Sequence, residues 1–506
     1  MFLIELITAL VVALCSLYIY FKFVVFTFWR KKGVFYIDPV VPAGNVTSLL
    51  IGKISATELF RDAYLKYKDH RTIGMYTFFK PNLVIADLDL VRIVLTKEFA
   101  SFHDRGYYCN EKVDPLSGNL FLLPGTKWRN LRTKLTPTFT SGNLKQMFGV
   151  LKDCGEELAI SLKNRTKTTK CIEIKEILGR YTIDVIMSAA FGIKSNCMTT
   201  PDSEFLYQGK KVFEYHIFWY ALFGLVPQIP DLFAIPFFGR KISKFFIKVF
   251  RDTVQHRQTH NVVRHDFMNL LIQIIEKGYV APDKGDTADV SSNTSKMSIV
   301  EAAAQSYAFF LGGFETSSTT ATFCLYELAK NQDVQYKLRQ EIEEILKIHG
   351  EVSYNAVNDM TYLHKVVSET MRKYPPVPIL NRICTKDIDL PTTNIHIPEG
   401  TLLTISVLGI QRDPAIYPNP DKFDPERFDA NQIAARHPYA YLPFGEGPRV
   451  CIGQRFGYMQ TKVGVINIVL NFKLKLHPQT SVPLIVDKAS IICTPKDGVH
   501  LIIEPL

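Results

Sequence analysis

Tyr441-Leu-Pro-Phe-Gly-Glu-Gly-Pro-Arg-Val-Cys-Ile-Gly-Gln-Arg-Phe-Gly457 is a loop of proline and glycine that closes on one thiol, Cys451, and runs into an apolar stretch through Leu470. A cysteine at the mouth of a helix is biased toward thiolate by the positive helix end and by unpaired backbone N–H groups. Gly445, Gly447 and Gly453 let the backbone approach something flat without a Cβ in the way, and Arg449 is a fixed positive charge two residues before the sulfur. This is the local chemistry of a metal–thiolate ligand. The alternative is a glycine-rich turn before a helix, with Cys451 incidentally buried.

The rest of the chain narrows the choice. It has 506 residues, enough for a large core, and 35 Phe and 23 Tyr point to a greasy interior with some membrane contact. The net charge of +10 comes from dispersed Lys and Arg. That pattern speaks against nucleic acid and for an acidic protein partner or an anionic membrane surface. Nine cysteines, odd in number and without CxxC spacing, indicate a reducing compartment and neither a disulfide framework nor a zinc site.

Leu6 to Phe21 is uncharged, and with Lys22 snorkelling the apolar run extends through Trp29 to the basic cluster Arg30, Lys31, Lys32. That suffices for one spanning helix of about 20 residues. Glu5 precedes it, no small-residue cleavage site follows, and the Lys/Arg excess is C-terminal, as in an uncleaved signal anchor that leaves the body in the cytosol. A cleaved signal peptide is the alternative. Pro39, Pro42 and Gly44 then make a stiff hinge. The expected division is a transmembrane signal anchor over 1–29, a basic and Pro/Gly hinge over 30–45, and one domain over 46–506.

Within that domain, Thr72 to Phe79 and Leu83 to Ala86 predict a β-hairpin. Phe102 to Gly106 is a turn holding a charge pair. Trp128 and Arg132, at i and i+4, present an indole N–H and a forked cation to one anion, or are a core aromatic beside a solvated Arg. Lys127, Arg129 and Lys134 decorate the adjoining surface, as solvated charge or as a dock for an acidic electron donor. Aromatic residues crowd 213–238, including Tyr215, Phe218 and Tyr220, and are broken by Pro227, Pro230 and Pro236. This predicts a cavity roof dipping into a bilayer, with Arg240, Lys241 and Lys244 at the headgroups, rather than an unbroken core helix. Ala281 to Lys296 predicts an exposed linker. Ser298 to Glu301 is a capping box opening a helix through Leu328 that is apolar nearly all round and therefore buried. Inside it, Gly312-Gly313-Phe314-Glu315-Thr316 followed by hydroxyl residues predicts a kinked or widened turn that relays water. Asp389 to Pro398 and Gly400 to Val407 predict strands, and Ser490 to Thr494 a strand and turn.

Phe444, Gly447, Arg449, Cys451 and Gly453 fill the Phe-x-x-Gly-x-Arg-x-Cys-x-Gly pattern, and the chain thereby resembles the cytochrome P-450 family. Gly313-Phe314-Glu315-Thr316 is similar to that family's oxygen-activating helix, with Gly312 where alanine is commonest. Glu369-Thr-Met-Arg372 and Pro425-Glu-Arg427-Phe resemble its Glu-x-x-Arg and Pro-x-Arg-Phe elements. The resemblance spans nearly the whole chain and is nearest to insect microsomal members that oxidise toxins and other lipophiles. It implies a mainly α fold with a smaller β-rich subdomain and one N-terminal transmembrane anchor. It implies haem b held by Cys451 as iron ligand, with Phe444, Gly445, Arg449, Gly453, Trp128, Arg132, Arg105 and Arg382 around it. It assigns Thr316 to hydrogen-bonding dioxygen and Glu315 to proton relay. Glu369, Arg372 and Arg427 would form a buried network bracing the Cys loop. Phe309, Leu311, Gly312, Val377, Ile379, Leu380 and Ile492 would border the substrate.

The activity so implied is a monooxygenase on a lipophilic substrate, either a xenobiotic, plant toxin or insecticide or an endogenous lipid or hormone. Electrons would come from NADPH through a separate reductase, with cytochrome b5 a further partner, at the cytosolic face of the endoplasmic reticulum. Two alternatives stay open: a reductase-independent haem-thiolate isomerase or dehydratase, and a haem- or lipophile-binding membrane protein that is not an enzyme.

Overall fold

In a computed structural model of the protein, residues 1–200, 202–213, 217–280 and 295–506 are described. The architecture is built round the helix Ile299–Lys330, about 48 Å long at 1.5 Å per residue. Its start is set as the sequence predicts. Glu301 N–H donates to Ser298 Oγ at 3.2 Å, and Ser298 N–H to Glu301 Oε2 at 2.7 Å. It is buried on nearly every face, which accounts for its apolar periphery. The helix Ile174–Ile186 packs along it so closely that a Cβ on Gly313 would lie 2.2 Å from Ile186 Cδ1 and push that side chain aside. The Cys helix, Gln454–Asn471, is the third member of this core, tied in where Tyr181 Oη donates to the Gln460 carbonyl at 2.9 Å.

Among the described residues, nine short strands make the smaller β part: β1 (Thr72–Thr77), β2 (Lys80–Ile85), β3 (Cys171–Glu173), β4 (Ile379–Ile383), β5 (Ile388–Asp389), β6 (His396–Ile397), β7 (Leu402–Ser406), β8 (Phe472–Leu476) and β9 (His500–Pro505). The main sheet has the order β1-β2-β7-β4, with β2 and β7 parallel and the other pairs antiparallel. β3, β9 and β8 form a second sheet. The predicted hairpin and the strands around 389–407 are thus present. Ser490 to Thr494 forms no strand. Asp487 N–H donates to the Thr494 carbonyl at 2.8 Å, closing a tight return instead.

The N-terminal helix, Phe2–Phe23, has no buried residue and is long and apolar enough to cross a membrane. The boundary expected at residue 29 moves back, because Trp29 belongs to the body. It is fully buried, with Nε1 donating to the Met75 carbonyl at 2.9 Å. The expected hinge over 30–45 is likewise no free connector. Gly74 N–H donates to the Phe35 carbonyl at 2.8 Å and Asn45 N–H to the Tyr76 carbonyl at 2.9 Å, so this segment edges the main sheet. Backbone groups left beside β1 must find partners, and the chain leaving the anchor supplies them.

The aromatic-rich segment is not one helix. Helices Ile217–Leu225 and Gln228–Leu232 are separated at Pro227. Leu232 and Phe233 are 79% and 67% exposed, next to the exposed Arg240, Lys241 and Lys244, whereas Phe223, Phe237 and Phe238 turn inward over a cavity. Tyr215, the side chains of Phe218 and Tyr220, and positions 281–294 of the expected linker lie outside the described residues.

Candidate active site

A cavity of about 1310 Å³ separates the long helix from the main sheet. Phe309, Leu311 and Gly312 of the helix, Val377, Ile379 and Leu380 at β4, and Ile492 of the C-terminal return all line it. Cys451 lines it too, so its accessible surface is cavity wall. Leu50, Ile485 and Ile491 line the cavity and are also exposed, marking where it reaches the surface.

The Cys loop is shaped by backbone that most residues cannot adopt. Gly445 and Gly447 have φ of 71° and 76°, and a Cβ on Gly447 would lie 2.0 Å from the Leu95 carbonyl oxygen. Gly453 takes an ordinary backbone conformation. Its φ is −91°, it is the N-cap of the Cys helix, and a Cβ there would meet only Phe139 at 3.8 Å. Phe444 accepts from Cys451 N–H at 3.0 Å and packs on Tyr458 with ring centres 5.2 Å apart. The expected thiolate bias is not met by the protein alone. Burial pushes the Cys451 thiol up, and the Gly453 N–H, Arg105 and Arg132 only partly oppose it. A metal ion at the sulfur displaces the proton regardless.

Four guanidiniums gather beside this thiol. Arg449 donates to the carbonyls of His103 and Leu123, each at 2.9 Å, and to Asp104 Oδ1 at 3.2 Å, with its plane 3.9 Å over the Trp128 ring. Arg105 reaches the Arg449 carbonyl at 3.1 Å, and Arg132 the Val450 carbonyl at 2.9 Å. Burial, then the neighbouring Arg105, push Arg382 and Arg449 down to about 9. Arg382 Nε and Arg449 Nη1 are buried donors without a protein acceptor among the described residues. Buried cations with spare N–H groups call for an anion. Haem, with two carboxylates at one edge and an iron that takes a thiolate, fits this donor set.

Behind the loop, Arg372 and Glu369 form a fully buried fork, with Nε to Oε2 at 2.7 Å and Nη2 to Oε1 at 2.9 Å. Arg427 Nε lies 3.5 Å from Glu369 Oε1 and its Nη2 donates to the Pro418 carbonyl at 2.7 Å. The route from this fork to the Cys loop passes through Gln411, which sequence reasoning missed. Its carbonyl accepts from Arg372 Nη1 at 2.9 Å, and its Oε1 accepts from Leu442 N–H at 2.9 Å.

The long helix is unbroken through 312–320, against the expected kink or widened turn. The hydroxyls of Thr316 and Thr320 donate to the carbonyls four residues back, of Gly312 and Thr316, and the helix accommodates this back-bonding without a break. Thr316 lines the cavity, while Glu315, about 100° further round the helix, meets the neighbouring helix 174–186 instead. Its Oε1 lies 2.9 Å from Lys175 Nζ and accepts from Thr319 Oγ1 at 3.4 Å. Lys175 went unnoticed in the sequence, where nothing local marks it. On the surface beside Trp128, Lys127 pairs with Glu111 at 2.7 Å, Lys134 donates to the Ser295 carbonyl at 2.6 Å, and Arg129 is exposed.

Residues 45–502 match the family model described as Cytochrome P450. Among curated relatives, a probable cytochrome P450 6a14 of Drosophila melanogaster is 39% identical over 95% of this chain and 96% of its own length. Cytochrome P450 6k1 of Blattella germanica is 39% identical over 96% and 94%, and cytochrome P450 6A1 of Musca domestica 36% identical over 97% and 96%.

Proposed function

The chain belongs to the cytochrome P450 family and is a haem monooxygenase, and from that premise we propose that it oxidises lipophilic small molecules at the cytosolic face of the endoplasmic reticulum, on NADPH electrons passed by a separate reductase. The observation that carries the reading is the cavity itself: an apolar chamber with Cys451 and Thr316 both in its wall. Cytochrome b5 is proposed as a second donor. The exposed Arg129 is one contact for an acidic donor, and the exposed Leu232 and Phe233 beside Arg240, Lys241 and Lys244 suit an anionic bilayer surface next to the anchor.

Haem held by Cys451 would supply dioxygen activation, with the thiolate as its electron-donating ligand. The protein's own groups do the rest. Arg105, Arg132, Arg382, Arg449 and Trp128 would hold the haem carboxylates. Glu369, Arg372 and Arg427 keep the Cys loop from moving under it. Phe309, Leu311, Ile379 and Leu380 exclude water and press the substrate toward the centre. Glu315 takes protons from the Lys175 side of the long helix and, by rotating its side chain, passes them to the Thr316 hydroxyl at the cavity wall.

The test is reconstitution of the holoenzyme with reductase in vesicles. The reduced, carbon-monoxide-bound protein should show the strongly red-shifted Soret band of a thiolate ligand. Thr316→Ala should keep that band and lose product per NADPH consumed. A histidine-type spectrum, or NADPH-independent turnover of a fatty-acid hydroperoxide untouched by Thr316→Ala, would count against the reading and favour an isomerase or dehydratase.

A further inference from the structure

Away from the arginines, part of the cavity's wall on the main sheet is polar. Across one face of the main sheet runs a ladder of side chains, one from each strand. Asn82 Nδ2 of β2 donates to Thr77 Oγ1 of β1 at 3.2 Å. Thr404 Oγ1 of β7 donates to Asn82 Oδ1 at 3.0 Å and lies 3.3 Å from Asn381 Oδ1 of β4. Asn381 Nδ2 in turn reaches Tyr107 Oη at 3.4 Å. The register puts all four strand residues on the same face, with Thr404 directly opposite Asn381, and all five residues line the cavity.

The direction of the bonds gives the ladder a chemical sense. Its centre is buried, with Asn82 at 3% and Thr404 at 1% exposure, so ligand meets the two ends. Each end is a hydroxyl that accepts an amide hydrogen, which leaves its own O–H hydrogen for another acceptor. Among the described residues neither Thr77 nor Tyr107 has such an acceptor. Thr316 and Thr320, by contrast, spend their hydrogens on helix carbonyls. The Tyr107 ring is also fixed in place, stacked on Phe121 at 5.4 Å, so little side-chain freedom is lost when it binds.

We infer that this ladder is a specificity wall, selecting lipophiles that carry a hydrogen-bond-acceptor oxygen, as a ketone, lactone or ether, over hydrocarbons of the same shape. The inference rests on the reading of the cavity as the substrate site. It makes Thr77 and Tyr107 substrate-binding donors and Asn82, Thr404 and Asn381 the residues that aim them. An acceptor oxygen held at the sheet leaves the apolar remainder of the molecule to lie along the long helix, so the wall decides which carbon is presented as well as which compound enters.

The test compares 9-fluorenone with fluorene, which differ only in the carbonyl, by equilibrium dialysis against the haem-loaded enzyme and two variants. The parent should bind fluorenone about fivefold more tightly, the worth of one ordinary hydrogen bond. Thr77→Val or Tyr107→Phe should abolish that ratio and leave fluorene binding unchanged. Equal binding of the two compounds by the parent, or a ratio that survives in both variants, overturns the inference while leaving the monooxygenase reading intact. So does a lower haem affinity in Tyr107→Phe with the ketone preference unaltered, which would assign that hydroxyl to the haem carboxylates. Failure of both probes to bind a protein with a normal carbon monoxide spectrum overturns the substrate reading of the cavity itself.

Discussion

Lys175 Nζ and Glu315 Oε1 lie 2.9 Å apart across the interface of helices 174–186 and 299–330. The Lys175 side chain keeps 26% of its surface exposed and the Glu315 side chain 12%, so the pair joins bulk water to the helix that carries Thr316. Removing the cation leaves a nearly buried carboxylate without its partner and proton entry without its surface terminus. Lys175→Met is expected to lower product formation about tenfold, less than the roughly hundredfold or more of a group that itself transfers the proton, because Lys175 acts through Glu315, with haem content unchanged. Lys175→Arg should restore it. Parallel measurement of NADPH consumed and product formed checks this, and undiminished coupling in Lys175→Met would refute the route.

Arg372 is wholly buried and makes four hydrogen bonds, two to Glu369 and one each to the Gln411 and Pro420 carbonyls, among the described residues. Cutting it to alanine strands the Glu369 carboxylate in the interior, at a cost of about 3–5 kcal/mol. Urea denaturation of Arg372→Ala should show that loss, together with haem-poor protein, because Gln411 no longer holds Leu442 at the start of the Cys loop. Arg372→Lys keeps the charge without the fork and should fall between the two.

Two glycines near the site should respond oppositely to alanine. At Gly447 a Cβ meets the Leu95 carbonyl at 2.0 Å and φ is 76°, so Gly447→Ala should distort the loop and abolish haem incorporation. At Gly312 a Cβ finds nothing within 4 Å, in the middle of a helix. Gly312→Ala should therefore load haem normally and raise stability by up to about 1 kcal/mol, while its methyl narrows the cavity beside Thr316. Melting curves and affinities for bulky ligands separate the two effects.

Lys462 lies in the Cys helix at 5% exposure with one hydrogen bond, to the Val357 carbonyl at 3.3 Å. Burial lowers its pKa from 10.5 to about 8. The unfolded chain thus binds the proton more tightly, and the cost of burying the charge is fully present below pH 8. It is relieved as pH rises from about 8 toward the unfolded value, so stability contributed by this site increases over that window. Lys462→Met should be more stable than the parent at pH 7 by up to about 3 kcal/mol, at 1.36 kcal/mol per unit. The advantage should shrink between pH 8 and 10, as chemical denaturation at several pH values would show.

Much of the site was legible because its signals are local. The Cys loop, the capping box at Ser298 and the Glu369–Arg372 pair are each written within a few residues, and the structure has all of them in the geometry their spacing demands. Where the reading slipped, a distant partner had intervened. Trp29 was counted with the anchor by composition, but Met75 and Tyr76 claim it for the body. The hydroxyl run at 316–320 predicts a kink, but the helix continues through it, with Thr316 and Thr320 bonded to carbonyls of their own helix and Thr319 to the Glu315 side chain.

By itself the sequence determined the family, the thiol proposed as iron ligand, the long helix across the cavity from it and the apolar segment that precedes the body, because short-range periodicity, capping and glycine placement are properties of neighbours along the chain. Only the tertiary structure decided which way Glu315 points, which cation meets it, how four arginines and Asp104 share one corner, and that Thr77, Asn82, Asn381 and Thr404 make one polar wall. Asp104 and Arg449 meet across 345 positions and Asn82 and Thr404 across 322. Contacts of that range are set by how helices and strands pack, and no local pattern encodes them.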